Sequence, residues 1–114
     1  MTDCLFCKIV SGDVPAKIVR ESAGTVAFRD INPQAPTHVL VIPRAHHPAV
    51  GGLAAADAEL LAEVVREAHG VAVDEGIAET GYRLVFNTGA QAGQTVFHVH
   101  AHVLGGRGLN WPPG

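Results

Sequence analysis

The chain has 114 residues, a formal net charge of −3 and 47% hydrophobic residues, which suits one small domain better than two. Its 8 Lys and Arg form no basic run, and that argues against binding a nucleic-acid backbone, which needs a basic face. No stretch has the apolar length of a membrane span, and Met1-Thr2-Asp3-Cys4 does not open a secretory leader, so the expected location is the cytoplasm.

Cys4 and Cys7 stand as C-x-x-C at the start of the chain, a spacing that in a reducing compartment reads as metal or redox chemistry before a structural disulfide. Phe6 to Val10 predicts a short helix stopped at Ser11-Gly12. Lys17 to Glu21 and Thr25 to Arg29 read as two strands around a Ser22-Ala23-Gly24 turn, and Asp30-Ile31-Asn32-Pro33 breaks the second. His38 to Pro43 is a β-branched run that suits a buried central strand. From Ala55 to Glu75 the period becomes helical, with Leu61, Val64, Val65, Ala68 and Ala72 expected on the buried face. Asp57 suits the positive first turn of that helix and Gly76 its stop, while Gly70 costs about 1 kcal/mol against Ala and favours an earlier end. Tyr82 to Asn87 and Phe97 to Leu104 complete five strands. With no repeat or linker in sight, residues 1–114 read as a single α+β domain. Its expected form is a mostly antiparallel five-stranded sheet with one long and one short helix on one face.

The chemistry concentrates in Phe97-His98-Val99-His100-Ala101-His102-Val103-Leu104. Same-face neighbours on a strand lie roughly 6.6 Å apart, so His98, His100 and His102 form an imidazole row, while Phe97, Val99, Ala101 and Val103 turn to the core. A lone histidine commonly fills space or bonds to backbone. Three in strict alternation repel one another when protonated, and they call for a metal, an anion or a proton-transfer task. His38 and His46 bracket the central strand nearby. Upstream, Asn87-Thr88-Gly89-Ala90-Gln91-Ala92-Gly93-Gln94-Thr95 is a glycine-bearing loop rich in amide and hydroxyl donors. Beside an imidazole row such a loop suits an oxyanion clamp.

These segments resemble the histidine-triad (HIT) family, whose signature His-φ-His-φ-His-φ-φ is matched by His98 to Leu104, φ being apolar. More narrowly, Ile31 to His38, Val41-Ile42-Pro43, Gly81-Tyr82-Arg83, Gly93 to His98 and the tail Gly105-Gly106-Arg107 … Trp111-Pro112-Pro113-Gly114 resemble its nucleotide-binding branch, the purine nucleoside phosphoramidases. The resemblance implies that His100 attacks phosphorus to give a nucleotidyl-histidine that water then hydrolyses. It implies that His98, His102 and His38 position this ring and manage protons, and that Asn87, Gly93, Gln94 and Thr95 bind phosphate. Asp30 would take the ribose hydroxyls, with Phe6, Ile9, Phe28 and Ile31 around the base. No cofactor is implied for catalysis. Two subunits would join their sheets as a homodimer, each tail (residues 105–114), with Trp111, reaching the partner's site.

Where family members carry the two cysteines, the resemblance implies a structural zinc held by Cys4, Cys7, His46 and His98, with His47 a rival for the third place. Otherwise the pair is two buried thiols. Thr95 stands where close relatives have serine, and its added methyl crowds the leaving group. Rival readings are a dinucleoside polyphosphate hydrolase, a nucleotide-binding scaffold with feeble catalysis, and a zinc hydrolase built on His98, His100 and a third histidine. The favoured substrates are AMP- or GMP-amines, with aminoacyl adenylates beside them.

Overall fold

The elements are α1 (Leu5–Ser11), β1 (Ile18–Glu21), β2 (Thr25–Arg29), β3 (Thr37–Pro43), α2 (Val50–Ala56), α3 (Ala58–Asp74), β4 (Tyr82–Val85) and β5 (Ala101–Gly105), in a computed structural model that describes residues 3–114. Met1 and Thr2, part of the opening read above, lie outside the described residues. The strands form one antiparallel sheet in the order β1-β2-β3-β5-β4. This is the expected α+β architecture, with the β-branched β3 buried along its whole length at the centre.

Alternation along the strands sorts the core into two layers. Ala27, Val39, Val41, Ala101 and Val103 pack beneath Val64, Ala68, Val71 and Ala72 of α3. Val26, Phe28, Leu40 and Ile42 point the other way, where Phe6 and Ile9 of α1 cover them. The helices therefore lie on both faces, whereas the sequence suggested one. Gly12 ends α1 with φ 87°, a left-handed cap that donates its N–H to Ile9, a conformation glycine adopts at little cost.

The single helix expected over Ala55 to Glu75 is two. Asp57 leaves helical geometry at φ −155°, ψ 82°, closing α2, and its carboxylate accepts from Leu60 N to cap α3. Val65 is 40% exposed rather than buried, because the stripe facing the sheet runs through Val64, Ala68, Val71 and Ala72. Gly70 does not shorten the helix. A Cβ there would sit 2.6 Å from Arg20 Cζ, and that guanidinium lies across the glycine to pair with Glu67 and Asp74, each at 2.9 Å.

The last strand is shorter than expected. Its ladder with β3 runs from Thr37↔Gly105 to Val41↔Ala101, so His98 and His100 precede the regular strand. Beyond that point β3 reaches Pro43, and Val99 N–H donates instead to His47 O at 2.7 Å. Val99, Ala101 and Val103 are buried as expected, but Phe97 is 56% exposed. β4 likewise stops at Val85 instead of Asn87.

Candidate active site

The α1 face of the sheet holds a cavity of about 310 Å³ whose lining includes Phe6, Ile9, Phe28 and Leu40 as an apolar wall, with Asp30, Thr95, His100 and His102 as polar groups. Register brings the imidazoles together. His38 pairs with Leu104 and Leu40 with His102 across β3 and β5, which makes His38 and His102 diagonal neighbours on one face. A larger cavity of about 570 Å³ shares Arg29, Asp30 and Ile31 but contains no histidine. The smaller one holds the groups capable of chemistry.

Backbone partners settle which ring nitrogen carries each proton. His100 Nδ1 lies 2.7 Å from His98 O. A carbonyl only accepts, so Nδ1 bears the hydrogen and Nε2 of the neutral ring keeps its lone pair. His98 Nε2 lies 2.7 Å from Pro43 O, so Nε2–H donates there and Nδ1 holds the lone pair. His38 has the opposite arrangement: Gln34 N–H donates to its Nδ1 at 3.1 Å. The neutral ring then carries its proton on Nε2, which faces His102 Nδ1 at 2.9 Å. Asp30 Oδ2 stands farther from the same nitrogen, at 3.5 Å, and acts on it electrostatically. His102 accepts at Nδ1, so its proton sits on Nε2, a buried atom with no hydrogen-bond partner among the described residues. An orphaned buried donor costs about 1–3 kcal/mol until a ligand oxygen accepts from it.

Burial favours the neutral form of His38, His98 and His102. It pushes His102 down to about 4, assisted by the neighbouring His100 and His38 and opposed by Asp30. Burial likewise lowers His38, against the pull of Asp30, and lowers His98, against its bond to Pro43 O.

Of the residues expected around a nucleotide, Phe6, Ile9, Phe28, Asp30, Ile31, Thr95, His100 and His102 line the cavity. Ile31 does so from the rim, fully exposed. Thr95 makes no hydrogen bond among the described residues and is exposed, leaving its hydroxyl for a ligand. Gln94 differs from expectation. Its Nε2 donates to Pro48 O at 2.8 Å and Val96 O at 3.2 Å, and its Oε1 accepts from Gly89 N at 2.9 Å. Its backbone N–H bonds to Gly89 O at 3.1 Å, and that of Gly93 to Ala90 O at 3.0 Å. These two residues hold the glycine loop in shape with donors already in use. Asn87, Gly93 and Gln94 do not line the cavity, and Trp111 stands 82% exposed. Sequence reasoning passed over Leu40, Val96, Gln34 and Pro43. Leu40 and Val96 follow from strand and loop continuity, whereas the backbone atoms of Gln34 and Pro43 leave no signal in residue type.

A second cluster lies behind His100. Cys4 Sγ and Cys7 Sγ approach His98 Nδ1 at 3.4 and 3.5 Å, Cys7 Sγ approaches His46 Nδ1 at 3.4 Å, and the two imidazole Nδ1 atoms are 3.2 Å apart. Tetrahedral zinc with ordinary bond lengths sets S···N at about 3.6 Å and N···N at about 3.3 Å. The donor set fits a structural ion, with His98 Nε2–H anchored on Pro43 as ligating histidines usually are. His46, not His47, is the histidine brought into this set.

The HIT domain pattern matches residues 11–109. The chain belongs to the HIT family. It is 45% identical over 107 residues to a purine nucleoside phosphoramidase of Escherichia coli, covering 94% of this chain and 90% of that protein. A 14 kDa zinc-binding protein of Zea mays is 47% identical over 113 residues, covering 96% of this chain and 87% of that one. A crystal structure of a HIT family hydrolase from Legionella pneumophila superposes with TM-score 0.94 at 51% identity, covering 98% of this HIT chain and all of that one.

Proposed function

We propose that this HIT protein is a hydrolase of purine nucleoside phosphoramidates, cleaving the P–N bond of an AMP- or GMP-amine through a nucleotidyl intermediate on His100. Aminoacyl adenylates form a second substrate class of the same kind. The observation that carries the reading is the 2.7 Å contact of His100 Nδ1 with His98 O, which leaves Nε2 as a lone-pair nucleophile in a cavity shared with Asp30. An uncharged imidazole needs no further activation near neutral pH.

The surrounding groups have matching tasks. Phe6, Ile9, Phe28 and Leu40 offer an apolar seat for a purine, and the Asp30 carboxylate suits a ribose diol, whose two hydroxyls both donate. Asp30 Oδ1 is fixed by Asn32 N at 2.8 Å, which orients the group. In this reading His102 Nε2–H and the Thr95 hydroxyl would donate to phosphoryl oxygens as charge builds on them. Attack by His100 forms a N–P bond and releases the amine, which takes up a proton. Water then breaks the N–P bond and yields the nucleoside monophosphate.

Cys4, Cys7, His46 and His98 would hold a structural zinc that ties α1 to the segment bearing His100, and catalysis itself would need no cofactor. Four protein ligands close the coordination shell, which counts against zinc as the catalyst. The sheet edge at β4 and the exposed Trp111 tail support a homodimer in which each tail completes the partner's site.

The test is turnover of adenosine phosphoramidate by the parent and by His100→Asn. Release of AMP by the parent, with a loss of at least about a thousandfold in a folded variant, supports the reading. A parent that binds AMP but releases none points to a nucleotide-binding protein. Equal turnover in both removes His100 as nucleophile.

A further inference from the structure

The hydrogen bond that places the protons of His38 and His102 comes from one backbone N–H, that of Gln34 in an otherwise exposed loop, with Asp30 Oδ2 at 3.5 Å from His38 Nε2 favouring the same form. Ile31, Asn32, Pro33, Gln34 and Pro36 are all exposed. A loop of this kind samples several arrangements unless something grips it. Part of the grip is local: Gln34 Nε2 donates to Asn32 O at 3.0 Å, Asn32 N to Asp30 Oδ1 at 2.8 Å and Asp30 N to His38 O at 3.0 Å. The remainder comes from the far end of the chain. Arg107 places Nε and Nη2 on Gln34 O at 3.2 and 3.0 Å, while its Nη1 donates to Gly108 O at 2.8 Å. Gly106, at φ +89°, lets Pro36 pack where a Cβ would come within 2.9 Å of it. A planar guanidinium puts two parallel donors on one oxygen, a geometry an ammonium cannot copy. Arg107 lies two residues past the end of β5, the strand that carries His102. One segment therefore supplies both the last ring of the relay and the clamp on its first donor.

We infer that Arg107 is a positioning residue: by gripping the Gln34 carbonyl it holds Gln34 N–H against His38 Nδ1 and so keeps His102 in the form that presents Nε2–H to the phosphoryl group. The inference rests on the proposed reading only for what His102 faces; the tautomer itself is a property of the resting protein. When the clamp opens, His38 Nδ1 is released to take the proton. His38 Nε2 then accepts from His102 Nδ1, and His102 Nε2 turns a lone pair on the phosphoryl oxygen. The proton moves within each neutral ring, so no net charge changes.

The experiment is two-bond ¹H–¹⁵N correlation of the imidazoles in ¹⁵N-labelled parent, Arg107→Ala and Arg107→Lys, free of nucleotide. The parent is expected to show His102 protonated at Nε2 and His38 protonated at Nε2. Both variants are expected to show His102 shifted toward the Nδ1–H form, more in Ala than in Lys. Gln34→Ala, which keeps the backbone N–H and carbonyl held by Arg107 and loses only the local Nε2–Asn32 O bond, is expected to shift the pattern less than either Arg107 variant, and a larger shift than theirs would overturn the inference. In turnover, the Arg107 variants are expected to lose about tenfold in kcat with KM little changed, the loss of one hydrogen bond made in the transition state. A parent with His102 protonated at Nδ1 overturns the inference, and so does an unchanged tautomer in folded Arg107→Lys, even if activity falls. A parent inactive on phosphoramidates leaves the spectral outcome standing and counts against the proposed reaction instead.

Discussion

Among the described residues, two groups of side chains have the composition of a metal site, Cys4, Cys7, His46 and His98 on one side and Asp30, His38 and His102 on the other. In each, one ligand atom per residue falls within 4.8 Å of the others. Their chemistry is nonetheless opposite, and the backbone makes the difference. Pro43 O accepts from His98 Nε2, which turns a lone pair into the first group. Gln34 N–H donates to His38 Nδ1, which turns a proton into the second. A metal on His38 Nε2 would require the proton to move to Nδ1, directly against the Gln34 N–H. Residue type names the candidates, and one peptide group decides between coordination and proton-bearing.

The sharpest way to break this contrast is to count metal. One zinc per chain is expected in protein purified with the metal, lost in Cys4→Ser/Cys7→Ser and retained in His38→Gln. Two ions per chain, or loss in the His38 variant, would remove the distinction. Stripping the zinc should lower the melting temperature by roughly 15–20 °C, given about 4 kcal/mol of linkage at a thousandfold excess over Kd. Phe6→Ala probes the boundary between the two groups, because its ring meets His98 at 6.0 Å and His100 at 5.1 Å, both edge-on. Loss of a buried aromatic should cost about 3–5 kcal/mol in chemical denaturation. Retention of full stability would mean that α1 is held by the zinc ligands alone. His38→Gln should then reduce kcat by about tenfold with KM changed less, since it removes the partner that orients His102 without touching the nucleophile.

Most elements were legible because their signals are local. The period change into α3, the β-branched β3 and the alternation of His98, His100 and His102 all report which face a residue occupies. α2 left no such signal: Val50–Ala56 contains Gly51 and Gly52, and Ala49 supplies no side-chain cap. It is held by burial of Leu53, which is fully inaccessible. The place of Gln94 was illegible for a related reason. An amide in a glycine loop looks like a ligand donor, yet three loop carbonyls and amides reach it first. The family resemblance located the cavity residues, but the atoms that fix the tautomers belong to Pro43 and Gln34, whose side chains say nothing about them.

The smallest expected effect is on pH dependence, and it separates the two groups without any substrate. His38, His98 and His102 all have folded-state values pushed down by burial, His102 to about 4. For a group lowered on folding, the unfolded chain binds the proton first, so its contribution is complete above the unfolded value near 6.5 and is lost as pH falls toward the folded one. Metal-free protein followed by urea denaturation should therefore lose stability steadily from about pH 6.5 to about pH 4. His102→Asn should flatten that slope by less than one proton, the most that a single site lowered to about 4 can contribute. With zinc present, the loss should steepen as protons displace the ion from Cys4, Cys7, His46 and His98, and the His102 variant should leave that added steepness intact. A variant that abolished the zinc-dependent part of the slope would show the two groups acting as one titrating unit, and the contrast between lone pair and proton would have to be withdrawn.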